Sequence, residues 1–186
     1  MSNTYNEFIE RVLVSEQEIK EKVHEIATQI NEIYKNSDKT LLLICILKGS
    51  IIFTADLMRE ITVPMEVDFM QVSSYGSSTF SCGQVSLRLD LKTHDLENYN
   101  VLVVEDILDS GKTLSCIMQY LKGRGANDVK LCTLLDKPER RVVDIKLDFE
   151  GIHIPDEFVV GYGLDYNEQF RNLPFVGILK REVYEK

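Results

Sequence analysis

The sequence lacks a basic block. Its 186 residues carry 21 Lys and Arg against 30 Asp and Glu, a formal net charge of −9. Such a chain is a poor electrostatic match to a DNA or RNA backbone, so no nucleic-acid partner is expected. A small anion could still bind locally, through backbone amides, a few cations or a metal ion. No apolar run approaches the ~20 residues needed to span a bilayer, and the polar N-terminus has no signal-peptide core. No membrane partner is expected either. The four cysteines (Cys45, Cys82, Cys116, Cys132) form no CxxC pair, and the three histidines complete no zinc spacing. Cys45 and Cys132 sit in apolar runs, as buried free thiols do. These absences imply a soluble, cytoplasmic protein with reduced cysteines. No internal repeat or low-complexity tract interrupts the chain.

What is present suits one α/β domain spanning residues 1–186. Apolar residues make up 44%, enough for a packed core. Ser15, with Glu18 three residues on, has the capping-box pattern of a helix start. Ile19, Val23, Ile26, Ile30 and Ile33 then recur at helical spacing, which predicts one inward face. "TLLLICIL" (Thr40–Leu47), "NVLVVEDI" and "VKLCTLLD" (Val129–Asp136) are apolar runs typical of strands buried on both faces. "IIFTADLMREI" and Thr113 to Lys122 read as helices, "MEVDFMQVS" and "VSLRLDL" as strands. "SSYGSSTFSCGQ", rich in Ser and Gly, reads as a mobile loop. Strands alternating with helices imply βαβ units and a central, mostly parallel twisted sheet flanked by helices. Ligands of such sheets bind beyond the C-terminal strand ends. That selects "KGS" at 48–50, "EDILDSGKT" at 105–113 and "DKPERR" at 136–141.

The middle segment departs from familiar phosphate loops. GxxxxGK[ST] fails at its first glycine, which is Asp106 here, and "GYGLDY" at 161–166 fails GxGxxG at Tyr166. The acidic spacing of "DILDSG" is wrong for an EF-hand. Residues 109–113 still offer successive amides at a helix N-terminus, a good anion site. The plain alternative is a strand-to-helix turn with a capping side chain. Glu105 and Asp106 would repel a bare phosphate, but carboxylates accept hydrogen bonds from a sugar diol. The spacing fits a ribose 5-phosphate, diol at the strand end and phosphate at the helix start. Asp109 is left free for proton chemistry.

"VLVVEDILDSGKTL" resembles the phosphoribosyl-diphosphate (PRPP) signature of type I phosphoribosyltransferases. "LLICILKGSIIFTADL", "VDFMQVSSYG", "LCTLLDKPERR" and "IPDEFVVGYGLDYNEQFRNLP" resemble the matching segments of the bacterial hypoxanthine (hypoxanthine-guanine) branch, in order, over most of the chain. The resemblance implies transfer of 5-phosphoribose from PRPP to N9 of a 6-oxopurine. Hypoxanthine would give IMP, guanine would give GMP, and pyrophosphate would leave. It also implies a core of roughly residues 38–150, with a small hood built from the N-terminal segment and roughly residues 151–186.

Carried over residue by residue, it gives each motif a role. Glu105 and Asp106 would hold the ribose hydroxyls, directly or through Mg2+, and Asp165 would bind Mg2+ bridging to pyrophosphate. Asp109 would be the general base or acid near purine N7. Asp109, Ser110, Gly111, Lys112 and Thr113 would wrap the 5-phosphate; the family often has Thr where Ser110 stands. Lys48, Gly49 and Arg171 would contact pyrophosphate, Lys48 in a loop that often carries a non-proline cis peptide in this family. Lys137 would donate to purine O6, Phe158 would stack on the ring, and the Val159 main chain would read its edge. Ser74 and Tyr75 would close a lid over the reacting centre. Arg140 and Arg141 read as surface charge, Tyr162 and Tyr166 as structural. A homodimer or homotetramer is implied. Two other readings remain at this stage. A non-catalytic nucleotide-sensing regulator on the same fold would lack the base acid or the lid residues, both of which are present. A xanthine-preferring relative differs in base contacts, for which rates with each base are the discriminator.

Overall fold

Thr40–Leu47 (β2) becomes an interior strand of the larger sheet, as its unbroken apolar run requires. The computed structural model of the chain describes residues 7–73 and 86–185. Ser74 and Tyr75, expected in the lid, lie outside them. In chain order, β2 is preceded by β1 (Ile9–Val14) and helix α1 (Glu16–Tyr34). It is followed by α2 (Ile51–Glu60), β3 (Met65–Ser73), β4 (Ser86–Leu89), β5 (Tyr99–Leu108), α3 (Lys112–Gly123), β6 (Val129–Asp136) and β7 (Phe149–His153). The short β8 (Val159–Val160), β9 (Val176–Leu179) and α4 (Arg181–Tyr184) close the chain.

Six strands form one sheet in the order β4-β3-β2-β5-β6-β7, parallel throughout except for antiparallel β4. Alternation along each central strand divides the core between the two faces. Leu41, Leu43, Leu102, Val104, Cys132 and Leu134 pack with α1 and α2. Leu42, Ile44, Val101, Val103, Val129 and Leu131 pack with Leu114, Ile117 and Leu121 of α3. A separate antiparallel sheet, β1-β9-β8, joins the two ends of the chain.

Some expectations need correction. Ile33 is 54% exposed, and Tyr34 is buried in its place, because the helix's inward face has rotated past Ile33 by its last turn. β1 and β7 carry no strong periodic signal and were not foreseen. β7 pairs beside β6 with Gly151 against it, where a Cβ would stand 1.9 Å from the Leu134 carbonyl oxygen. Cys45 and Cys132 are free and buried as expected. Among the described residues, no helix is long and apolar enough to cross a membrane.

The capping box at α1 is formed in full. The Ser15 amide donates to Glu18 Oε2 at 2.8 Å, and the Glu18 amide donates to Ser15 Oγ at 3.3 Å. Ser15→Ala should therefore cost about 1 kcal/mol, the usual worth of an N-cap side chain. In a chain of this size that is a fall of ~3 °C in Tm, readable by thermal unfolding; an unchanged Tm would deny the cap any weight.

Candidate active site

Parallel pairing brings the C-terminal ends of β2, β5 and β6 to one edge of the sheet. Cys45 lies opposite Val104, and Leu108 opposite Asp136. The three segments singled out by sequence therefore become neighbours. β5 ends in Glu105 and Asp106, and the chain turns through Asp109, Ser110 and Gly111 into α3. Gly111 takes φ +81°, a conformation that side-chained residues rarely adopt, and caps the helix. The Ser110 carbonyl accepts from the amides of Val142 and Val143 at 3.1 and 3.2 Å, which fastens this loop to the segment after β6.

Glu105, Asp109, Ser110, Gly111 and Thr113 line one cavity of about 310 Å3, walled by Ile46, Leu47, Val72, Ile107 and Leu114. Lys112 is exposed and is not among its lining residues. The cavity thus joins an amide-rich helix start to carboxylates, as a sugar phosphate requires. Arg140 Nε stands 2.8 Å from Asp109 Oδ1. The two groups form an ion pair at the mouth of the cavity.

Asp106 serves the other side of β5. A Cβ on Gly49 would fall 1.5 Å from Asp106 Oδ2. A Cβ on Gly163 would fall 2.0 Å from the Gly49 carbonyl oxygen. The "GYG" that fails as a dinucleotide fingerprint is explained by such approaches: Gly163 has φ +103°, and Gly161 has φ +100° and backs onto the Phe175 carbonyl. The Leu47–Lys48 peptide is cis. Arg171 donates to the Gly163 carbonyl at 2.8 Å and pairs with Asp165 at 2.8 Å. Lys48 and Arg171 both reach Glu168, at 3.0 and 3.2 Å. Glu168 was not singled out by sequence; its place three residues before Arg171 was the available signal.

Burial pushes the Glu105 carboxyl well above its usual range, and the charge of Asp106 adds to this. Asp106 is raised to about 6, chiefly by burial; the Ile107 amide and Arg171 pull it down and Asp165 pushes it up. These three carboxylates do not converge on one point. Among the described residues, the one group with ligand atoms all within 4.8 Å is Asp136, Glu150 and His153. There Asp136 is already ion-paired to Arg141, a competitor for any metal.

Lys137 is 7% exposed and donates to the Glu157 carbonyl at 2.6 Å. Burial lowers its pKa, against the opposing pull of Asp109 and Asp156. Phe158 is 38% exposed, stacked on Tyr184 at 4.8 Å and met edge-on by Tyr166 at 5.7 Å. Val159 is buried in β8, paired with Ile178 of β9. Tyr162 and Tyr166 donate to Asp56 and to the Val183 carbonyl at 2.7 and 3.1 Å, as structural residues do. Arg140 and Arg141 are not mere surface charge. Arg140 also pairs with Asp156, and Arg141 donates to the Asp109 carbonyl and pairs with buried Asp136. Sequence could not show the contacts with Asp109 and Asp156, which come from other segments; the Arg141–Asp136 pair is local, five residues apart.

The phosphoribosyl transferase domain model matches residues 13–167. The chain is 50% identical over 177 residues to the hypoxanthine-guanine phosphoribosyltransferase of Bacillus subtilis (strain 168), covering 95% of this chain and 97% of that protein. It is 50% identical over 167 residues to the hypoxanthine phosphoribosyltransferase of Buchnera aphidicola subsp. Schizaphis graminum (strain Sg), covering 90% and 94%. The crystal structure of a hypoxanthine phosphoribosyltransferase from Staphylococcus aureus superposes with a TM-score of 0.91 at 44% identity, over 100% of both chains.

The raised pKa of Asp106 has a stability consequence. Its folded value of about 6 lies above the ordinary 3.8, so the folded state disfavours the ionised form. The favourable protonated contribution is complete below 3.8 and lost as pH rises through 6. Asp106→Asn should raise Tm at pH 7.5 by ~3 °C, on the order of 1 kcal/mol, and the gain should fade as pH falls from 6 to 3.8. A pH-independent difference in thermal melts would contradict this cause.

Proposed function

The chain belongs to the phosphoribosyltransferase family, and on that footing we propose how its residues divide the work. The protein is a pentosyltransferase of purine salvage. It transfers 5-phosphoribose from PRPP to N9 of hypoxanthine, and likewise of guanine, giving IMP or GMP and pyrophosphate. The observation that carries the division of labour is the cavity lined jointly by Glu105, Asp109 and the 110–113 loop. The loop amides and the hydroxyls of Ser110 and Thr113 take the 5-phosphate. Glu105 and Asp106 take the ribose hydroxyls. Asp109, whose carboxylate is ion-paired with Arg140 at the rim of this cavity, holds the N7 proton as the glycosidic bond forms. Lys137, largely desolvated, donates to O6; a 6-amino base would leave that ammonium unsatisfied, which selects against adenine. Phe158 stacks on the base, and the Val159 main chain reads its edge. Lys48, Gly49 and Arg171 receive the departing pyrophosphate.

Magnesium fits this donor set. Glu105, Asp106 and Asp165 would each offer, separately, a hard oxygen ligand of the kind it prefers, to be completed by substrate oxygens rather than by one another. Bound there, it would supply neutralising charge for the diphosphate as that group leaves. Ser74 and Tyr75 are read as the cover that excludes water from an oxocarbenium-like centre. The terminal β1-β9-β8 sheet is read as the hood over the base. Exposed Phe69 on β3 and Leu89 on the neighbouring edge strand β4 are apolar surface that a second copy would cover in a dimer or tetramer. A cytoplasmic location fits the substrates.

Asp109→Asn should lower kcat ~10²-fold or more, the scale of general acid–base catalysis, with PRPP binding little changed because the loop amides remain. Near-normal kcat would remove Asp109 from the chemistry. Lys137→Ala should weaken hypoxanthine binding ~10-fold or more and reduce discrimination against adenine, since a site built around a polar group rejects its mismatch strongly. Steady-state rates with hypoxanthine, guanine, xanthine and adenine, each with PRPP and magnesium, read both effects and the base preference.

A further inference from the structure

Lys48 and Arg171 are bridged by one carboxylate, Glu168, at 3.0 and 3.2 Å. The two cations come from distant parts of the chain, one after β2 and one before β9. Exposed pairs of this kind contribute little to stability; Lys48 and Glu168 are 52% and 65% exposed. The backbone at this point is also costly. Tyr166 and Gln169 exchange amide–carbonyl hydrogen bonds at 3.2 and 3.0 Å, with Asn167 at φ +50° and Glu168 at φ +64° between them. A two-residue turn with both φ positive favours Asn followed by Gly. A glutamate here is worse for the turn than glycine, so its side chain has another use. Arg171 meanwhile keeps two contacts of its own, with the Gly163 carbonyl and Asp165. The cation would stay in place if Glu168 swung away.

We propose that Glu168 is a placeholder anion: it holds Lys48 and Arg171 in the empty site, yields them to the diphosphate of PRPP, and returns to them as pyrophosphate leaves. This rests on the assignment of Lys48 and Arg171 to pyrophosphate. Its carboxylate takes both cations through one oxygen, Oε2. Every bound pyrophosphate therefore displaces a competing charge, which weakens its binding and speeds its release. Arg171 orients the diphosphate; Glu168 acts through the two cations and is a positioning residue.

The test measures magnesium pyrophosphate binding at equilibrium, and its off-rate by chase, on the full-length enzyme. Glu168→Gln should tighten pyrophosphate by ~10-fold, equivalent to about 1.4 kcal/mol, and slow its release correspondingly. The gain should shrink at high salt, where exposed charges are screened. Glu168→Gly, which suits the turn, should do the same and guards against a misfolded Gln variant. A residue that merely braced the loop would give the opposite sign, so unchanged or weaker pyrophosphate binding in both variants overturns the proposal. Arg171→Gln separates the two levels. If it binds pyrophosphate as well as the parent, the assignment of the subsite is wrong. If it binds more weakly while neither Glu168 variant binds more tightly, only the placeholder role is lost.

Discussion

The site depends on how closely Gly49 is approached. The Asp106 carboxylate occupies the space a side chain on Gly49 would need, and Gly163 stands over the Gly49 carbonyl. Arg171 then bonds the Gly163 carbonyl. This stack ties the loop after β2, the end of β5 and the segment before β9 into one block. Any Cβ at Gly49 or Gly163 would separate them. The electrostatics follow from the same crowding. Asp106 is desolvated because protein atoms press on it, and its neighbours supply one cation, Arg171, against two further acids, Glu105 and Asp165.

Sheet topology turns that block into two compartments on either side of β5. Glu105 opens into the cavity with the 109–113 loop, while Asp106 faces Gly49 and Arg171. Consecutive strand residues point to opposite faces, so two adjacent acids open onto the two sides of one strand end. A carboxylate pair beside a phosphate loop is then no contradiction. The end of β6 is separate again. Lys137 leaves β6 and is held by the carbonyl of Glu157, the residue before Phe158.

The sequence by itself determined the parallel core, because runs such as Thr40–Leu47 and Val129–Asp136 can only be satisfied by burial on both faces. It also placed the ligand segments at strand ends, since parallel pairing sends those ends to one edge. It determined the α1 cap, a local interaction between residues three apart. Tertiary structure alone decided what depends on approach between distant residues. β1 and β7 exist because β9 and β6 offer them edges, not because of their own periodicity. Arg140 and Arg141 both reached Asp109, just past the end of β5. Glu168 reached Lys48 across 120 positions of sequence. Local pattern encodes which faces must be buried; it does not encode which charges the folded backbone will bring within 3 Å of one another.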